Sequence, residues 1–378
     1  MCDGELWLSF YGQRSWSPVT PVSLGILLIN FGEPDEPTPE KVSAYLERIF
    51  LQNAALEGHT DDAAVARSRQ LARDRAPALL EEYRTIGGSP LNAQAEAQAG
   101  ALRAEMARRG DDARIYSAYQ FTDPSIAQAV TQARADGVDT LLAFPGYPLC
   151  GHSTTVEAIN AVRRALDAER WQPRFVSIAG WHWHPAYEAL WTGHISRFTA
   201  LHALDLTSAD TLLYFSVHGT PLKYLRDGNR YDRYVFEHCA AIALAVGADR
   251  YGVGFQNHTN RRVAWTQPDN EERIRDAIER RLVVVPISFL REQSETLAEL
   301  DHGLRAFAQA LGKEFHRVPV PHDDVALAPL MADLIAEALA DAPGADRALS
   351  RCRCRPDDGT WCTNGARELP PSPFAPAA

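Results

Sequence analysis

Two hydrophobic periods alternate along this chain. Apolar runs rich in Val, Leu and Ile occur at GILLINF from Leu24, then at 113–118, 139–144, 173–179, 211–217, 249–256, 282–288 and 314–320. Helical periodicity fills most of the stretches between them. Unbroken runs of this kind predict strands buried on both faces, and their alternation with helices predicts parallel sheets covered on both sides. A first helix is expected from about Pro39 with Thr38 as its cap. Helices follow over 61–84 and 91–108, divided by the breaker Ile86-Gly87-Gly88-Ser89-Pro90. The order is doubled, since GILLINFG and TLLYFSVHG each open a series of strands and helices. The predicted organisation is therefore an extension over 1–23, a first α/β half over 24–188, a second over 189–345, and a tail over 346–378.

The most two-faced stretch runs from Val283 to Phe307. At 100° per residue Leu297, Leu300, Leu304 and Phe307 share one face, and Glu292, Glu295, Glu299 and His302 share the other. The acidic face begins where a strand ends, and open α/β sheets bind ligands at the carboxyl ends of their strands. A line of carboxylates could pass protons or a divalent cation, or simply be a solvated face. The second chemical stretch is Tyr214-Phe215-Ser216-Val217-His218-Gly219-Thr220-Pro221. Gly and Pro after a buried strand demand a sharp turn, which would push the His218 imidazole above the sheet. A lone His at a turn commonly bonds backbone groups, but opposite carboxylates it would also suit a first-row metal.

Composition narrows the partners. A formal net charge of -11 argues against nucleic acid. No stretch approaches the roughly 20 apolar residues of a membrane helix. The first 20 residues lack the basic start and apolar centre of a signal peptide, which predicts a cytoplasmic protein. No G-x-G-x-x-G or Walker pattern is present, so nucleotide chemistry is not expected.

From Leu24 to Ala340 the chain resembles the ferrochelatases, which insert iron(II) into a porphyrin. The carriers are GILLINFGEPDEPTPEKVSAYL, EEYRTIGGSPL, FPGYPLCGHSTT, YFSVHGTP with Gly228 and Tyr231, GVGFQNHTNRRVAWTQP, and VVVPISFLREQSETLAELD. The resemblance implies two Rossmann-like halves, each with a parallel four-stranded sheet flanked by helices and an active cleft between them. It implies His218 as active-site base or metal ligand, Glu295 as its partner, and Glu292 and Glu299 as further members of an acidic line toward the metal. Phe31, Tyr147, Trp181 and Trp265 are candidate walls for the macrocycle, and Arg84, Arg261 and Arg262 candidate partners of its propionates. Ferrous iron would be the metal substrate, with protoporphyrin IX or coproporphyrin III as its acceptor. A monomer or homodimer is expected, with peripheral contact to a membrane open. Two other readings stand beside this one: a cobalt or nickel chelatase of another tetrapyrrole, and a non-catalytic tetrapyrrole-binding or haem-sensing protein.

The chain departs from the family pattern in places. Arg291, Glu292 and Gln293 replace a Ser-Asp-His run, Gln256-Asn257-His258 replaces Gln-Ser-Arg, and Gln120-Phe121 stands where an Arg-Tyr pair is usual. The cysteines add a separate question, because Cys352, Cys354 and Cys362 crowd the tail. Some ferrochelatases carry a [2Fe-2S] cluster on such a tail. By that likeness the fourth ligand here would be Cys150, with a tail that binds nothing as the alternative.

Overall fold

The computed structural model describes residues 23–257, 263–340, 360–363 and 374. The elements follow the two periods of the sequence. The first half contains β1 (Leu24–Asn30), α1 (Pro39–Leu56), α2 (Asp62–Ile86), α3 (Leu91–Arg109), β2 (Ala113–Tyr119), α4 (Ile126–Ala135) and β3 (Thr140–Pro145). A π-helical turn at His152–Val156 then runs into α5 (Glu157–Ala168), followed by β4 (Arg174–Ile178) and α6 (Pro185–Leu201). The second half contains β5 (Thr211–His218), α7 (Leu222–Arg226), α8 (Tyr231–Ala245), β6 (Tyr251–Gln256), α9 (Asn270–Asp276) and β7 (Arg281–Val285). A π-helix, Glu295–Leu304, continues into α10 (Arg305–Ala310), and β8 (Glu314–Arg317), α11 (Leu327–Leu339) and the short β9 (Thr360–Trp361) complete the chain.

Local chemistry explains several boundaries. Thr38 caps α1 by accepting from the Lys41 amide at 3.3 Å, and Asp61 caps α2 through the Ala64 amide at 2.8 Å, each satisfying a donor that the first turn leaves open. Gly87 ends α2 at φ 76°, a left-handed conformation that costs glycine little. The run expected as a strand over 282–288 stops at Val285 because Pro286 has no amide to give the ladder.

The strands form two parallel sheets, ordered β2-β1-β3-β4-β9 and β6-β5-β7-β8. Within each half the order is second, first, third, fourth, so the doubling read from the sequence is a doubling of topology. In each sheet the order of strand addition reverses beside the first strand, which places Asn30 and His218 at equivalent switch points where α/β sheets open a crevice for ligands. The first sheet gains a fifth strand from the tail, where Thr360 and Trp361 pair with Ser177 and Ile178.

One apolar cluster joins the halves: Ile26, Leu28 and Phe144 of the first sheet share it with Leu213, Phe215 and Val283 of the second. Although α11 follows the second sheet, it crosses back to pack on α3 and β4. Among the described residues no helix is long and apolar enough to cross a membrane.

Candidate active site

The strand β5 is buried along its length until it delivers His218 at its carboxyl end. The backbone there is held on both sides: the His218 amide donates to Ser288 Oγ at 2.9 Å and its carbonyl accepts from the Tyr231 hydroxyl at 3.0 Å. Gly219 follows because a methyl group there would lie 1.9 Å from Asn257 Oδ1. The imidazole is 33% exposed, and its Nε2 lies 3.1 Å from Glu295 Oε1. Its Nδ1 lies 2.7 Å from the Gly219 carbonyl oxygen. A carbonyl only accepts, so Nδ1 carries a hydrogen, and Nε2 with Glu295 must share one further proton. Burial opposes the charged imidazole, but the Glu295 carboxylate and the Gly219 carbonyl outweigh it and raise its pKa above the usual value.

Glu295 opens the π-helix. Residues four apart share one side of the helix, about 40° apart at 3.6 residues per turn and no farther apart in the wider π-turn. Glu295 and Glu299 are thereby stacked toward His218. Gln256, at the end of β6, ties them together: its Nε2 donates to the Glu295 carbonyl at 2.9 Å and to Glu299 Oε2 at 2.6 Å. Burial, then repulsion from Glu295, pushes the Glu299 carboxyl up to about 7. Gln293 Nε2 donates to Glu295 Oε2, which orients the carboxylate beside His218.

The helical wheel drawn from the sequence needs correction at the remaining positions. Glu292 precedes the π-helix and does not join the line. Its Oε1 accepts from Arg317 Nη1 at 2.8 Å and from the Val320 amide at 3.1 Å, which commits it to a buried ion pair. His302 is exposed, and the apolar face is carried by Leu300, Leu304 and Ala308, with Phe307 packed against them. Among the described residues no group of three or more His, Cys, Asp or Glu could hold a metal ion. The four-residue metal set expected at His218, Glu292, Glu295 and Glu299 is not assembled as such.

Two carboxylates that the sequence did not single out complete the acidic surroundings. Glu33 follows β1 and is 2% exposed. It accepts from the Ser294 hydroxyl and from the Ser294 amide at 3.2 Å, capping the start of the π-helix from the other half. Burial raises its pKa against those hydrogen bonds, and the nearby Glu295 adds to the effect. Its position three residues beyond a buried strand end was a signal available in the sequence. Glu82 on α2 is raised by burial and by Glu295, with Arg75 opposing. Nothing in its Ala-, Arg- and Glu-rich helix distinguished it.

The proposed macrocycle contacts scatter more widely. Phe31 is partly buried against Phe121, ring centroids 4.5 Å apart, and the partly buried Tyr147 donates its hydroxyl to Gln120 Oε1 at 2.6 Å. Trp265 is partly buried beside an isolated bridge to Pro221. Trp181 is no cleft wall: it is fully buried between Phe144 and Tyr187. Arg84 is 71% exposed and pairs with Glu81 at 3.2 Å. Arg261, Arg262 and His258 lie outside the described residues, as do Cys352 and Cys354. Cys150 and Cys362 are both buried, and both bear on the Tyr234 phenol, whose pKa is raised mainly by burial and then by these thiols.

Residues 23–339 match the family model described as Ferrochelatase. A ferrochelatase of Synechococcus elongatus is 30% identical over 327 residues, covering 84% of this chain and 82% of its own length. That of Bordetella pertussis is 31% identical over 324 residues, covering 81% and 85%. The solved structure of CbiX, the terminal enzyme for biosynthesis of siroheme in denitrifying bacteria, is 16% identical with a TM-score of 0.49, covering 84% of this chain and all of its own.

Proposed function

The chain belongs to the ferrochelatase family and is a metal chelatase, and from that premise we propose that it inserts ferrous iron into a porphyrin, with His218 and Glu295 as the pair that takes the ring protons. Insertion requires two pyrrole protons to leave while the ion loses its water. The observation that carries the reading is the 3.1 Å contact between His218 Nε2 and Glu295 Oε1 at the end of β5. Once neutral at Nε2, the imidazole can accept a pyrrole proton, and the hydrogen bond from Nδ1 to the Gly219 carbonyl stabilises the imidazolium that results. Glu295 receives the proton across that contact. Glu299, with a carboxyl near 7, can then hold or release it at neutral pH. The Gln256 side chain ties the Glu299 carboxylate to the Glu295 backbone, and Glu82, whose carboxyl Glu295 also bears on, extends the acidic path along α2. The macrocycle's broad apolar faces supply binding energy for ring distortion.

The test is turnover of metal-free porphyrin with iron(II) under anaerobic conditions, beside porphyrin binding by fluorescence. His218→Ala should abolish insertion while binding persists. Near-normal turnover by that variant would overturn the assignment, and binding without turnover by the unaltered protein would favour a tetrapyrrole sensor. Running protoporphyrin IX and coproporphyrin III in parallel identifies the substrate.

As a second element we propose, from the family resemblance of the cysteine-rich tail, a [2Fe-2S] cluster held by Cys150, Cys352, Cys354 and Cys362, the second and third of which lie outside the described residues. Such a cluster would supply one-electron redox chemistry or structural bracing. The chain's own contribution is partly visible: β9 lies parallel to β4, and the Thr363 amide donates to the Gly180 carbonyl at 2.9 Å, which seats Cys362. Cys150 and Cys362, 212 positions apart in the sequence, act on the same phenol.

A further inference from the structure

Arg291 leads from β7 toward the π-helix and is 6% exposed. Its guanidinium forms no hydrogen bond or ion pair with any described residue, and its Nε is buried without an acceptor. It lies against the bare Cα of Gly146, so tightly that a methyl group there would be 2.9 Å from both Arg291 Nη1 and Asn30 Oδ1. The groups that bear on its charge, after burial itself, are the neutral phenols of Tyr147 and Tyr119. The buried Arg317, by contrast, holds both Glu292 and Asp301. An unpaired buried cation carries a desolvation penalty that neutral neighbours do not offset.

The location says what could offset it. Asn30, Tyr119 and Gly146 stand at the carboxyl ends of β1, β2 and β3, the switch point of the first sheet and the counterpart of the His218 corner in the second. Arg291 is four residues ahead of Glu295 in the chain. A planar guanidinium in a narrow slot matches a planar carboxylate through two parallel hydrogen bonds. We propose that Arg291 is a buried receptor for a carboxylate on the inner edge of the macrocycle, so that an acidic side arm of the ring enters first and is held between Gly146, Tyr119 and Tyr147. This rests on the porphyrin-chelatase reading above.

The test compares free-acid porphyrins with their methyl esters in the same detergent, by fluorescence binding to the full chain and to Arg291→Met, which keeps bulk and removes charge. The unaltered protein should prefer the acid to the ester, and the substitution should reduce that preference on the order of tenfold, the typical effect of a charge-assisted hydrogen bond. Ester binding should change little. Equal losses for acid and ester, or none, would overturn the proposal, whereas failure of the unaltered protein to bind any porphyrin would overturn the functional reading instead. Millimolar formate is the control for a small free anion. If formate raises the melting temperature of the unaltered protein but not of the variant, and does not compete with the free acid, the site belongs to such an anion and not to the macrocycle.

Discussion

Glu299→Gln isolates the cost of the acidic line. The substitution preserves shape and the acceptor oxygen that Gln256 uses at 2.6 Å, and removes only the ability to ionise. The Glu299 carboxyl is raised from 4.5 to about 7, first by burial and then by Glu295. At ~1.36 kcal/mol per unit this would correspond to roughly 3 kcal/mol, and partial exposure and coupling to Glu295 reduce the usable figure to about 2 kcal/mol. The sign follows from proton counting. Below pH 4.5 both folded and unfolded chains hold the proton and the group costs nothing. Between 4.5 and about 7 the unfolded chain loses it first, so the folded state binds more protons and stability falls as pH rises. Above 7 the full penalty remains. The variant should therefore match the unaltered protein near pH 4.5 and exceed it at pH 8. With an unfolding entropy near 2.1 cal/mol/K per residue, about 2 kcal/mol on a chain of this size moves the melting temperature by roughly 2–3 °C. Melting at pH 5 and pH 8 measures the difference of differences, which cancels the titration of other groups to first order. The same variant should turn over more slowly at sub-saturating iron. Identical pH dependence of melting, together with unchanged rates at every iron concentration, would refute the reasoning and leave Glu299 with no part in the relay.

Further outcomes are expected elsewhere. Glu295→Gln removes the charge that holds the His218 pKa up, so the imidazole should titrate at lower pH, as followed by its ring proton resonances. The stability His218 draws from Glu295 should be present below about pH 6.5 and lost as pH rises through the raised folded value. Glu33→Ala leaves the buried Ser294 groups without their partner and should cost about 1–3 kcal/mol in urea unfolding, with the conservative Gln restoring most of it. Trp361→Ala empties a site only 4% exposed and should release the tail from β4, exposing it to limited proteolysis. Protein purified without oxygen should be coloured by two irons per cluster; Cys354→Ser should lose that colour, and colourless, iron-free, active protein would rule the cluster out.

The elements and their doubling were legible in the order of residues alone. Strands buried on both faces must be continuously apolar, so LGILLIN and TLLYFSVH declare themselves, and parallel sheets require the helices between them. His218 was legible for the same reason, since Gly219 and Pro221 mark the turn that ends a buried strand. The pairing of His218 with Glu295 came only through family resemblance, because residues 77 positions apart carry no local sign of contact. Tertiary structure alone decided the rest. A periodicity of 100° per residue put Glu292, Glu295 and Glu299 on one face, but the segment folds as a π-helix, a choice set by hydrogen bonding and packing that the apolar pattern does not encode. Glu82, and the burial of Glu33 and Arg291, could not be read for a related reason: whether a charged residue is solvated, paired or buried depends on what the rest of the fold places beside it. The tail shows the same limit, since two residues, Thr360 and Trp361, become a strand only because the edge of β4 is there to pair with them.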